Sequence, residues 1–201
     1  NTFFAGYTLV HNSNVSLWLD ETDTPHISSH NLEVAEDSIQ NKFKQTPEYP
    51  KAVDLLMDER HTWHTECITY GELIYDGVSP TRIERKKKNP HWVLFDIYDL
   101  TNHTYMDYTL VYMKGYHFHI PVVKLLDTFI PLSLEELYAK VEEQLKWCRR
   151  HNREGVVIKN YADQLFINEK VDLPKKPKLE KPQKSDIIYP PHVCVLRTFL
   201  Y

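Results

Sequence analysis

The chain has 201 residues, 42% of them hydrophobic and 12% aromatic, with a formal net charge of -4. That length suits one domain with a tail and a sizeable core, and the charge leaves any nucleic-acid contact to local basic clusters rather than to the field of the whole chain. Five glycines argue against the Gly-rich phosphate loops of P-loop and Rossmann proteins, and three scattered cysteines without a CxxC pair argue against a disulfide framework and a zinc site.

Cys67, Cys148 and Cys194 imply a reducing, intracellular location, cytoplasmic or nuclear. The first segment has no positively charged lead into an apolar run, and nowhere do about 18 apolar residues follow one another. A soluble protein without a signal peptide or membrane contact is expected.

In chain order, Tyr7 to Leu19 partly alternates, with Val15, Leu17 and Leu19 on one face and Ser16, Trp18 and Asp20 on the other, which predicts a strand. Asp and Pro in ETDTP give a turn, and HISSHNLEV reads as the returning strand of a hairpin. After Pro47 and Pro50, KAVDLLMDER predicts a short helix. ECITYGELIYDG and HWVLFDIYDL are rich in Val, Ile, Tyr and Phe and predict adjacent antiparallel strands around the basic loop RIERKKKNP. TNHTYMDYTLVYMKG, broken by Asn102, reads as a further hairpin leading into HIPVVKLLDTF.

Ser133, with Glu136 three residues on, predicts a capping box at the start of the clearest helix. Leu134, Leu137, Tyr138, Val141, Leu145 and Cys148 recur at helical spacing and predict a face packed on a sheet. Lys146, Arg149, Arg150 and His151 suit the negative C-terminal end of that helix. EGVVIK then reads as a buried strand. LPKKPKLEKPQK holds three prolines and five lysines in twelve residues, the composition of an extended linker. The divisions expected are residues 1–172 as a domain, 173–186 as a linker and 187–201 as a segment that returns to the domain or docks on a partner protein.

Three segments follow one another in an order that carries chemistry: GELIYDG at Gly71 to Gly77, HWVLFDIYD at His91 to Asp99, and EGVVIK at Glu154 to Lys159. From about Thr8 to Asp172 the chain resembles the adenylating domain of ATP-dependent RNA ligases, within the covalent nucleotidyltransferase superfamily. There these segments are the third, intermediate and fourth motifs. The resemblance implies an α+β fold built on antiparallel sheets, ATP or AMP as ligand, Mg2+ as cofactor and RNA as a partner.

It also implies roles. Glu72 would hold the ribose hydroxyls, since a carboxylate accepts two hydroxyl hydrogen bonds. Trp92 or Phe95 would stack the adenine, a contact worth about 1–3 kcal/mol per base; spacing leaves both open. Glu154 would contact metal or nucleotide, and Lys159 the α-phosphate. A buried lysine is costly unless it meets an anion or a carboxylate. Lys170 in INEKVD fits the second lysine of the fifth motif, with Asn168 in place of the first. His30 stands where an arginine usually follows the hairpin turn, and a mostly neutral imidazole does not reproduce its fork.

The first motif departs most. The family pattern Lys-x-His-Gly-x-Asn finds its match in LVHNSN, Leu9 to Asn14: His11 and Asn14 fit, Asn12 replaces glycine, and Leu9 occupies the position of the lysine that attacks ATP. No lysine precedes Lys42. Attack on phosphorus needs an amine desolvated enough to lose its proton, and leucine has no lone pair. The expected function is therefore an RNA ligase-like domain that binds ATP, AMP or an RNA end without a lysyl-AMP adduct. An active ligase whose nucleophile has been altered, and a protein-interaction scaffold that keeps only the fold, are the alternatives.

Two basic clusters, Arg82 to Lys88 and Lys175 to Lys184, would neutralise phosphates or solvate loops. His61 and His64, and His117 and His119, lack a third ligand at metal-site spacing.

Overall fold

The computed structural model describes residues 4–9, 13–29, 35–75, 89–151, 153, 155–162, 165–170 and 195–198. The chain forms two compact units, His11–Val123 and Asn1–Val10 with Lys124–Tyr201, each built on its own five-stranded sheet. The class is α+β, and every described strand pair is antiparallel except the last one added.

In the His11–Val123 unit, β2 (Ser13–Leu19), β3 (Pro25–Ser29), β4 (Cys67–Ile74), β5 (His91–Asp99) and β6 (Thr104–Tyr105) lie in the order β3-β2-β4-β5-β6. The alternation of β2 buries Val15, Leu17 and Leu19 together with Cys67, Leu73, Trp92, Leu94 and Ile97, beneath Phe43 of α1 (Asp37–Lys44) and Ala52, Leu55 and Leu56 of α2 (Glu48–Thr62). Each large side chain so buried stabilises the unit by about 1.5–3 kcal/mol. Arg60 near the end of α2 donates to the carbonyls of Leu19 and Asp20 and to the carboxylates of Asp23 and Glu66, which ties the β2–β3 turn to the helix.

The region read as a further hairpin is mostly helix. After the two-residue β6, α3 runs Tyr108–His117. Its β-branched and aromatic residues suggest strand, but Asp107 caps it, accepting from the Leu110 N–H at 2.9 Å. Tertiary packing decides the rest: a Cβ at Gly115 would come within 2.3 Å of Val122 Cγ2, so the glycine allows the close approach of helix and following chain.

In the other unit, β1 (Phe4–Leu9), β7 (Leu125–Phe129), β8 (Gly155–Asn160), β9 (Leu165–Lys170) and β10 (Val195–Thr198) lie in the order β10-β9-β8-β1-β7. β10, from the C-terminal segment, runs parallel to β9. Residues 173–186, read as a linker, lie outside the described residues. Tyr7 to Leu19 is thus not one strand: β1 and β2 belong to different sheets, and the alternation that unites them in sequence carries no information about that change of partner.

α4 (Leu134–Arg150) covers one face of this second sheet. Leu137, Val141, Leu145 and Cys148 pack on Phe4, Phe129, Val156 and Ile158, whereas Leu134 and Tyr138, expected on the same face, are 72% and 58% exposed. They flank the stripe rather than sit in it. The cap is half a capping box: the Ser133 hydroxyl accepts from the Glu136 N–H, but the Glu136 carboxylate accepts from Leu132.

Gln144 is buried over Gly6, where a Cβ would meet its Oε1 at 1.8 Å, and neither amide atom finds a hydrogen-bond partner among the described residues. An unsatisfied buried polar group costs about 1–3 kcal/mol. Gln144→Met, similar in volume, is expected to raise stability by about 1–2 kcal/mol in chemical denaturation, and an unchanged or lower midpoint would contradict this assignment.

Candidate nucleotide-binding site

In the His11–Val123 unit the register aligns Asn14 with Glu72 and Glu72 with Val93, and in the next row Ser16 with Tyr70 and Tyr70 with Asp96. Directly opposed residues share a face, so Asn14, Glu72 and Asp96 stand on the face opposite the helices. Between Tyr70 and Gly71 the register of β4 on β5 shifts, Tyr70 pairing with Asp96 and Gly71 with Leu94. Phe95 is the extra residue of a bulge, a device that re-aims side chains and is common beside active sites. Phe95 follows Val93 on the Glu72 face by alternation, and the shift adds Asp96, which a regular strand would turn to the helix side.

Glu72 is 5% exposed and Asp96 is also buried. Tyr70, between them in the register, has its hydroxyl pKa pushed up to about 12, first by burial and then by the charge of Asp96. Two buried carboxylates thus stand a row apart on one face.

Trp92 is elsewhere. It pairs with Leu73, on the helix-covered face, and is 0% exposed. Its backbone N–H donates to Glu48 Oε2 at 3.1 Å, its indole N–H donates to the Val15 carbonyl at 3.3 Å, and its ring lies 5.2 Å from that of Phe43. Both donors are used in the core, and a Cβ at Gly71 would strike the indole at 2.2 Å. Of the two aromatics the sequence leaves open, the one sharing a face with Glu72 is Phe95.

In the second unit β1 and β8 pair with Ala5 opposite Lys159 and Leu9 opposite Gly155, and β8 pairs with β9 through Gly155 and Lys170. Gly6 and Ile158, in register, belong to the side under α4, so Ala5 and Lys159 take the other side. Lys159 is 3% exposed, with Nζ 5.9 Å from the Tyr161 ring centroid. Positions 9, 155 and 170 form one lateral row across β1, β8 and β9, with a glycine in the middle.

The first motif thus falls at the end of β1 and the start of β2, with Leu9 and Asn14 on either side. His11, Asn12, His30 and Glu154 lie outside the described residues, as do both basic clusters, 82–88 and 175–184. Asn168 and Lys170 fall on β9. Asp96 is the residue that sequence reading did not single out: its place on the Glu72 face follows from the bulge, which no local pattern announces.

Among the described residues no group of three or more His, Cys, Asp or Glu is placed to hold a metal ion. His61 is exposed and shares a hydrogen bond with Asp23 at 3.0 Å. Burial pushes the Cys67 and Cys148 thiols up to about 12 and about 11, which keeps both protonated and unreactive at neutral pH. No described helix is long and apolar enough to cross a membrane.

Two mainly antiparallel sheets with a buried Gly-Glu-Leu strand, a bulged strand carrying Phe95 and Asp96, and a buried strand lysine fit the nucleotidyltransferase fold of RNA ligases. The RNA ligase family profile matches residues 10–176, well over half of the sequence, and the chain belongs to that family. Similar solved structures include Naegleria gruberi RNA ligase with PPi, at TM-score 0.63 and 18% identity, covering 85% of this chain and 50% of that one. A variant of the same ligase with ATP and Mn matches at TM-score 0.63 and 18% identity, covering 85% and 49%, and another with AMP and Mn at 0.63 and 18%, covering 85% and 50%. At such identity the likeness shows the fold, and the chain spans about half the length of those proteins. No curated protein sequence matches the chain.

Proposed function

We propose that this domain binds ATP or AMP, or an adenylated or phosphorylated RNA end, without forming a lysyl-AMP adduct. The observation that carries the reading is leucine at position 9, where β1 ends in register with Gly155. Covalent transfer begins with attack of a lysine amine on the α-phosphate, and a leucine side chain has no nucleophilic atom.

The rest of the reading concerns binding. Glu72 accepts from the ribose hydroxyls, Phe95 stacks on the adenine, and Lys159 and Lys170 meet the phosphates. Assigning these residues to one nucleotide rests on family membership. A divalent ion would screen the phosphate charge, and Glu154, by its motif, would hold it; the carboxylate donors suit a hard ion such as Mg2+. Asp96, close to Glu72 in the register, is a further acceptor on that face.

Calorimetric titration with ATP and Mg2+ tests the reading. Saturable binding near one nucleotide per chain is expected, weakened at least about tenfold by Glu72→Ala, since hydrogen bonds to a charged group are worth about 1.5–3 kcal/mol each. Absence of binding, or equal affinity in the variant, would contradict it and favour a scaffold that retains only the fold.

A further inference from the structure

The C-terminal end of α4 carries charge that the nucleotide reading does not use. Lys146, Arg149 and Arg150 are exposed at spacings of three and four, which places them side by side on the outward ridge of the helix. Like charges so placed oppose helix formation. The ion pairs of the described part of α4 are made by Lys140, with Asp127 and Glu143, and leave these three cations without an acidic partner among the described residues. The helix dipole accounts for cations in the last turn. It does not account for what stands beside them.

That neighbour is an aromatic group. Trp147, half-buried, stacks on His151 with ring centroids 4.0 Å apart and planes 17° from parallel, and the His151 ring nitrogen lies 2.8 Å from the Trp147 carbonyl oxygen. Lys124, exposed, brings its ammonium 4.8 Å from the Trp147 ring centroid. A fourth cation, from a segment outside the helix, therefore converges on the same end of α4.

We propose that Lys124, Lys146, Arg149 and Arg150, with the Trp147–His151 pair, form a binding surface for the backbone of single-stranded RNA. Regularly spaced cations meet phosphates, and an aromatic pair beside them offers a stacking surface for a base, the combination that binds single strands without reading sequence. An acidic protein would satisfy the cations but has no need of the stacked pair. The proposal rests on the RNA part of the reading above, but on residues that reading does not use.

The test is fluorescence anisotropy of a labelled single-stranded RNA of about 20 nucleotides, long enough to span several phosphates, titrated at several salt concentrations with the protein and with Lys146→Gln/Arg149→Gln/Arg150→Gln. Glutamine keeps helix propensity. Removing three phosphate contacts is expected to weaken binding at least about tenfold and to flatten the slope of log affinity against log salt by about 2, with ATP affinity unchanged. Lys124→Gln, on a different element, is expected to flatten the slope by about 0.7. Equal RNA affinity and slope in the variants would overturn the proposal. So would RNA binding absent from the parent protein, a result that leaves the ATP titration to stand or fall by itself. Loss of ATP binding in the triple variant would also overturn it, since the patch would then not be separate.

Discussion

Phe95→Ala is expected to weaken ATP binding by about 1–3 kcal/mol, roughly 5- to 150-fold, with little change in thermal stability. Trp92→Ala is expected to do the reverse in kind: a loss of about 3–5 kcal/mol of stability, a large fraction of the about 5–15 kcal/mol that holds a domain folded. The contrast follows from the two faces of β5. Trp92 is wholly buried, with both N–H groups engaged and its ring against Phe43, whereas Phe95, two residues on from Val93, stands on the face that carries Glu72. Circular dichroism melts and ATP titrations of the pair decide the matter. A Phe95→Ala protein that binds ATP like the parent would show that the base is held elsewhere.

The second large effect concerns Lys159. In the proposed reading Lys159, buried on the face opposite α4, meets the phosphates, so Lys159→Met, which keeps length and apolar contact, is expected to weaken ATP binding by about 2–3 kcal/mol, roughly 30- to 150-fold. Adenosine, which has no phosphate, is expected to bind parent and variant alike. An equal loss for adenosine and ATP would mean that the substitution disturbs the fold rather than a phosphate contact.

Much of this arrangement is legible in the residues. GELIYDG and HWVLFDIYDL are strands by composition, and their expected antiparallel pairing is the one found. The spacing of Leu137, Val141, Leu145 and Cys148 gives the buried stripe of α4, and Ser133 its start. What the residues do not reveal depends on partners distant in sequence. The alternation of Tyr7 to Leu19 is the same whether the segment is one strand or two in different sheets. α3 reads as strand because its aromatic residues favour one, until the Asp107 cap and the approach of Gly115 to Val122 override that preference. The choice between Trp92 and Phe95, which alternation puts on opposite faces, depends on which face of β5 the helices cover, and the bulge that follows leaves no mark in a window of residue types. For the same reason Asp96 stays hidden: in a regular strand it would share the parity of Trp92 and Leu94.

Fold and family rest on different observations from the proposed absence of covalent chemistry, which stands on Leu9 alone. The measurement that bears on it most directly is the intact mass of the protein after incubation with ATP and Mg2+ at a concentration that saturates the calorimetric titration. The account expects the unmodified mass, with nucleotide bound but lost on denaturation. A stable gain of one AMP per chain would contradict it and would require another amine to do the work that position 9 does not.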